Sequence, residues 1–416
     1  MPHAVGLRCV RCAAEHAAPG AARPVRYACE ACGGNLDVVY DYAAVRRELS
    51  RASLAADPDH RVWRYRALLP VDAGVDAERL NVSRTPLAAA PALGARLGLP
   101  SLWLKDETRH PSASLKDRAS AITLAMARAR GAEIVAGAST GNAASSLACL
   151  AARTGTRAVL FVPESIPSAK LAQILLFGAT VIAVRGTYDQ AADLCLAACE
   201  RYGWYDRDTG RNPYTREGKK TAAFEILEQL GWRVPDWVVV SVGDGNILSG
   251  LHKGFTDLRE VGLVDGIPRL LAVQAEHSDA VKRAFEGDGV IRAVSGVTIA
   301  DSISVGLPRD GDAAVRALRE SDGAAVAVTD DAILDAMREL ARTEGLFAEP
   351  AAAAAVAGLE LATREGRIRE AETVVAVVTG SGLKDVASAT RAAGAPLTTE
   401  PDLDALDEVV RGRIEA

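Results

Sequence analysis

Long hydrophobic runs are missing from this chain. No apolar stretch approaches the roughly 18 residues that would suggest a membrane span. The opening MPHAVGLRCVRC lacks the apolar core of a secretory signal. A surplus of either charge is missing as well. The 48 Lys and Arg against 54 Asp and Glu leave a net charge of -6, too mild to imply attraction to nucleic acid or an anionic membrane. No internal repeat of solenoid period occurs. These absences make a cytoplasmic protein the expectation, with neither nucleic acid nor membrane as partner. What is present is ordinary for a soluble globular protein: 49% hydrophobic and 25% charged residues. A length of 416 residues suffices for two or three domains and a large buried core.

The seven cysteines form two groups. Cys149, Cys195 and Cys199 lie in apolar, helix-like segments and read as buried free thiols. Cys9-x2-Cys12 and Cys29-x2-Cys32 are separated by sixteen residues, the spacing of a four-thiolate zinc ribbon. Two disulfides would need an oxidising compartment, and a redox pair would not need two copies. The expectation is a structural zinc on Cys9, Cys12, Cys29 and Cys32. Four protein ligands leave no open position for catalysis.

Beyond this module, short apolar runs alternate with longer helical patterns. The strands expected are SLWLK, EIVAG, RAVLFV, TVIAV, WVVVSV, RLLAVQA, AVAV and TVVAVVT. The helices expected are 116–130, 142–154, 168–177, 187–202, 219–230, 247–261, 330–344 and 350–365. Alternation with Val/Ile/Leu-rich strands marks parallel sheets covered on both faces. The fold class expected is α/β, with two doubly wound open sheets and a cofactor cleft between them, plus the small zinc-ribbon-like module. The domains expected are 1–45 for that module, 46–120 with 226–416 for a large cofactor-binding part, and 121–225 for a smaller α/β part.

Four stretches carry chemistry. In SASLKDR, Lys116 stands at a helix start, where the positive end of the dipole disfavours its ammonium form. A lysine poised to be neutral can form a Schiff base with an aldehyde cofactor, although alone it reads as a surface charge. In ASTGN, the turn Ser139, Thr140, Gly141, Asn142 offers N–H groups and hydroxyls to an anion, or an ordinary helix cap. In SVGDGNILSG, residues Gly243, Asp244, Gly245, Asn246 and Ile247 open a helix after the strongest strand. That turn lacks a nucleotide P-loop lysine and suits a phosphate monoester. In VVTGSGLKD, Thr379 and Ser381 offer hydroxyls at the C-terminal end of a strand.

Together these are the parts of a pyridoxal phosphate site, and here the chain resembles a known family. HPSASLKDR, ASTGN, EGKKTAAFEI, AKLAQILLFGATVI, AEPAAAA and TGSGLKD stand in the order of the threonine synthases and their near relatives, fold-type-II pyridoxal phosphate enzymes. The resemblance implies that Lys116 carries the cofactor and then moves protons. It implies Asn142 beside the cofactor's 3'-oxygen, the 243–247 turn on its phosphate, and Thr379 at its pyridine nitrogen. Ser114, Ser139, Thr140, Thr215 and Arg216 would meet an amino-acid substrate. The reaction implied converts O-phosphohomoserine and water to threonine and phosphate by γ-elimination and β-addition, in a homo-oligomer of two or more chains. Near alternatives are a β-replacement enzyme on an O-phosphoserine-like substrate (cysteate synthase-like) and a serine/threonine dehydratase. A non-catalytic relative would be expected to have lost the lysine or the phosphate turn. The chain departs from the family's pattern at His110 (usually Asn), Ala113 (usually Gly) and Thr215 (usually Arg). Arg216, Lys219 and Lys220 could restore the positive charge for a substrate phosphate, or form a solvated basic face.

Overall fold

A computed structural model describes residues 3–17, 25–71, 74, 78–139, 141–164, 166 and 168–413. Among them no helix is long and apolar enough to cross a membrane. A small antiparallel sheet comes first, from β1 (Ala4–Cys9), β2 (Glu15–Ala17) and β3 (Leu36–Tyr40), in the order β2-β1-β3. Leu36, Val38 and Tyr40 alternate with more open neighbours along β3, so one face of the sheet is packed on the body.

Next in the chain come β4 (Leu87–Ala89) and β5 (Leu102–Asp106). A second group follows: β6 (Ile134–Ala138), β7 (Arg157–Pro163), β8 (Thr180–Val184) and β9 (Tyr205–Asp206). The last group is β10 (Trp237–Ser241), β11 (Arg269–Ala275), β12 (Ala324–Val328) and β13 (Val374–Val378). They form a six-stranded sheet, β12-β11-β10-β13-β5-β4, and a four-stranded sheet, β8-β7-β6-β9. Every pairing in these two sheets is parallel except β4 with β5. The two α/β sheets and the separate N-terminal module match the fold class expected.

β10 and β13 are buried at every residue, as strands covered on both faces must be. The alanine-rich helix Pro350–Arg364 packs on this sheet, and small side chains let it approach closely. At Gly358 any Cβ would collide with Val273 of β11. The helix expected at 219–230 is instead two segments, Pro213–Lys219 and Thr221–Gln229. It starts earlier because Asn212 caps the Tyr214 N–H and Pro213 occupies the first helical position. Helices Ala280–Glu286 and Gly311–Glu320 and the edge strand β4 were not expected.

Candidate active site

Four helices start around one cavity: Lys116–Arg128, Asn142–Thr154, Asn246–Glu260 and Pro350–Arg364. Lys116, Asn142, the 243–247 turn and Thr379, all expected at the site, line it together.

The residues around Lys116 are anchors. Asp117 is buried, and its carboxylate accepts from the Ser112 N–H at 2.6 Å and the Ser112 hydroxyl at 2.5 Å. Arg118 is buried between Glu107 and Glu225, donating to both at 2.6–2.8 Å. Lys105 joins Glu225 at 2.6 Å, and His110 Nε2 lies 2.9 Å from Glu107. Burial opposes charge on Glu107, yet Arg118 and His110 hold it ionised, well below the usual carboxylate range. The Leu115 N–H donates to the Thr379 carbonyl at 2.9 Å, fixing the lysine turn to the end of β13. Lys116 is thus delivered to the cavity by a rigid, ion-paired base. Burial, followed by the positive charge of Arg207, lowers its ammonium to about 8, against the pull of Glu349 and Asp244. The direction matches the expectation; burial and Arg207 supply the shift.

The 243–247 turn has the features of an anion cradle. A Cβ on Gly243 would lie 2.8 Å from the Ile303 Cα, so the backbone there must be bare. Gly245 has φ +92°, a conformation that favours glycine. The helix starting at Asn246 has no side-chain cap, which leaves its first N–H groups for a ligand. Lys219 also lines the cavity, its Nζ donating to Asn246 Oδ1 at 2.5 Å. Burial, then Lys116 and Arg207, push Lys219 well below an ordinary lysine. Burial, then Asp208, raise the Asp244 carboxyl to about 6, and its Oδ1 accepts from the Arg309 N–H at 2.6 Å.

Other expected residues fall elsewhere. Ser139 Oγ accepts from the Gly141 N–H at 3.2 Å and braces the turn, while Thr140 lies outside the described residues. Ser114 is buried beside Gly380, and its hydroxyl has no hydrogen-bond partner among the described residues. The Thr215 hydroxyl bonds the carbonyls of Thr209 and Asn212 at 2.8 Å and does not line the cavity. Arg216 is a correction: its guanidinium is taken by Asp37 and Asp310, and its Nε donates to Ser249 at 3.1 Å. Nor do Arg216, Lys219 and Lys220 form a solvated basic face, for all three are buried. Lys220 pairs with Glu217 and Asp257, so only Lys219 of the three reaches the cavity.

Two cavity-lining positions were not among the site residues expected from the sequence. Glu349 is a buried carboxylate that lines the cavity and accepts from the Asn142 amide at 2.7 Å. Its place before Pro350, in AEPAAAA, was the available signal. An adjoining cavity shares Asn142, Ser302 and Glu349 and extends to Lys384, whose Nζ donates to Ser145 at 3.0 Å. The lysine of GLKD was visible but unassigned.

Away from this cavity, the sulfurs of Cys9, Cys12, Cys29 and Cys32 lie within 4.8 Å of one another. Contacts of 3.4–3.7 Å link Cys9 to Cys32, Cys32 to Cys12 and Cys12 to Cys29, and all four thiols are free.

Residues 78–380 match the family described as pyridoxal-phosphate dependent enzyme. The chain belongs to this family. The enzyme is 36% identical to the threonine synthase of Methanocaldococcus jannaschii over 407 residues, covering 97% of this chain and 99% of that one. It is 35% identical to the threonine synthase of Methanosarcina acetivorans over 98% of this chain and 99% of that one. Among solved structures, its fold resembles a Rhizomucor miehei L-serine ammonia-lyase, with a TM-score of 0.65 and 22% identity. That match covers 74% of this chain and 97% of the other. It also resembles maize serine racemase, with a TM-score of 0.64 and 21% identity over 82% and 95% of the two chains.

Proposed function

We propose that the enzyme is a threonine synthase, converting O-phosphohomoserine and water to threonine and phosphate. The observation that carries this reading is similarity to threonine synthases over 97–98% of the chain. The cavity supports it with a half-buried lysine, a glycine turn at an uncapped helix start and a hydroxyl at a strand end.

Pyridoxal phosphate, when bound, supplies the aldehyde that captures the substrate amine and the ring that accepts electrons from its Cα. The chain supplies the rest. Lys116 holds the cofactor and, once released, moves protons at the substrate carbons, a task suited to an amine whose ordinary affinity for protons has been reduced. The N–H groups of 243–247, with Lys219, hold the phosphate. Thr379 offers the pyridine nitrogen a hydroxyl, which cannot keep a full proton there as a carboxylate would. The weaker electron sink favours elimination and replacement over transamination. Asn142 serves the 3'-oxygen, and Ser114, Ser139 and Thr140 serve the substrate. Arg216 is committed elsewhere, and among the described residues lining the outer cavity Lys384 supplies a cation for the substrate's phosphate. The reading includes a cytoplasmic homo-oligomer, with residues 121–225 as the smaller α/β part.

We also assign a structural zinc to the four cysteines. A tetrahedral zinc with bonds of about 2.3 Å sets its sulfurs about 3.8 Å apart, close to the observed contacts. The test of function is a substrate panel with cofactor-loaded enzyme. Equal amounts of phosphate and threonine from O-phosphohomoserine are expected. Keto acid and ammonia from serine or threonine, with no threonine formed from O-phosphohomoserine, would overturn the assignment in favour of a dehydratase.

A further inference from the structure

The carboxylate of Asp310 is fully buried and collects donors from two parts of the molecule. From the phosphate turn and its helix come Asn246 Nδ2 at 2.8 Å and Ser249 Oγ at 2.7 Å. From the cysteine module comes Asn35 Nδ2 at 2.9 Å, and Arg216 adds its guanidinium. The Asp310 N–H donates to the Asp244 carbonyl at 3.0 Å, and its own carbonyl backs Gly245 so closely that a Cβ there would lie 2.8 Å away. One residue therefore touches Asp244, Gly245 and Asn246 in turn.

The module's side of this junction is set by the cysteine knuckles. Asn35 follows Cys32 by three positions, and its carbonyl accepts from the Val10 N–H at 2.9 Å. Gly34 packs so tightly that a Cβ there would lie 2.9 Å from the Cys9 sulfur. Asn35 also donates to the Arg309 carbonyl at 2.7 Å, while the Arg309 N–H holds the Asp244 carboxylate. Asp37, two residues further on, binds Arg216 and Arg316, and Arg216 returns to Asp310. Two routes thus run from the knuckles to the phosphate turn, and both pass through Asp310 or its neighbour.

We propose that Asp310 is a positioning residue for the 243–247 turn, and that Asn35 and Arg216 tie that turn through it to the cysteine module. The module then acts as a brace for the cofactor's phosphate, and its integrity sets cofactor affinity. This rests on reading 243–247 as the phosphate site.

The test measures binding of pyridoxal 5'-phosphate and of pyridoxal, which has no phosphate, to apoenzyme by absorbance titration. Asp310→Asn and Asn35→Ala are expected to weaken pyridoxal phosphate by about tenfold and about threefold, the scale of lost buried and half-buried hydrogen bonds. Pyridoxal binding should be unchanged, which a general loss of structure would not produce. Glu15→Ala, in an exposed ion pair on the module with no tie to the turn, should leave both ligands as in the parent. If Asp310→Asn does not fold, Asn35→Ala decides. Equal weakening of both ligands, or parental affinity for pyridoxal phosphate, overturns the inference. Gly243→Ala separates the two failures: if it does not selectively weaken pyridoxal phosphate, the phosphate-site reading fails and takes the inference with it. If it does and the brace variants do not, the inference alone fails.

Discussion

An amine attacks an aldehyde only when unprotonated, so in the role proposed for Lys116 its protonation controls how readily the apoenzyme takes up its cofactor. With the folded value near 8, against 10.5 for an ordinary lysine, half of the molecules present the free amine at mildly alkaline pH. The capture rate, followed by absorbance, should rise through a midpoint near pH 8; a midpoint near 10.5 would contradict the burial and Arg207 argument. The same shift has a sign for stability. Below 8 the lysine is charged both folded and unfolded, and its burial penalty is fully felt. Between 8 and 10.5 the unfolded chain binds more protons, so apoenzyme stability rises with pH across that window. Lys219 shifts in the same direction, so Lys116→Met should flatten only part of the rise in urea unfolding curves. Ala113, three residues before Lys116, offers a second test. Its φ of +59° is left-handed, where the family usually has glycine. The conformation costs a non-glycine residue about 1–2 kcal/mol, and glycine's extra chain entropy offsets about half of that. Ala113→Gly should therefore stabilise the protein by about 0.5–1 kcal/mol in denaturant unfolding.

At the scale of elements, the site is built from helix starts, and this explains what the sequence made legible. Strand, short polar turn and helix follow one another at EIVAG-ASTGN and WVVVSV-GDGN, and such turns fall at the C-terminal ends of parallel strands, where ligands bind. Reading those junctions singled out Asn142 and the 243–247 turn; Lys116 came from the helix start in SASLKDR and Thr379 from the strand end in VVTGSGLKD, and all of them line one cavity. Periodicity placed the helices at 142–154 and 330–344 within a residue. It could not show which charged residues are buried, because burial is decided by distant partners. Arg216 reads as a free cation until Asp37 and Asp310, 179 and 94 positions away, are found beside it. Glu349 meets Asn142 across 207 positions, and no local pattern announces that contact. Helix pairing was equally hidden. Gly218, on Pro213–Lys219, lies so close to the helix of Lys116 that a Cβ would strike the Arg118 carbonyl and Ala119. Gly218→Ala should force the two helices apart and cost about 2–3 kcal/mol in unfolding experiments, the scale of overpacking against backbone. Glycine at this position serves close approach, so a neutral substitution would show that the helices can slide.

On the scale of the whole molecule, the cysteine module makes a definite thermodynamic claim. It is a three-stranded sheet whose apolar contribution is small, chiefly Leu7, Leu36, Val38 and Tyr40, and such a unit needs a metal or a partner surface to hold its turns. Here it has the partner surface: Tyr40 bonds Glu217, and Asp37 binds Arg216 and Arg316. Chelating the proposed zinc should therefore release the two cysteine turns while the β1–β3 ladder stays docked. Asn35 belongs to the released part, since its carbonyl is bonded to Val10 between the first pair of cysteines. Asp37, inside β3, belongs to the part that stays. The expected result is partial: the Asn35 bond to Asp310 is lost and the Asp37–Arg216 tie is kept. Zinc-stripped enzyme should bind pyridoxal phosphate about threefold more weakly, as Asn35→Ala does, and Asn35→Ala should show no further loss on chelation. Metal analysis should give one zinc per chain beforehand. Wholesale loss of cofactor affinity on chelation would mean that the metal holds the entire module in place. An unchanged affinity, with the zinc gone, would mean that the docking surface alone fixes Asn35.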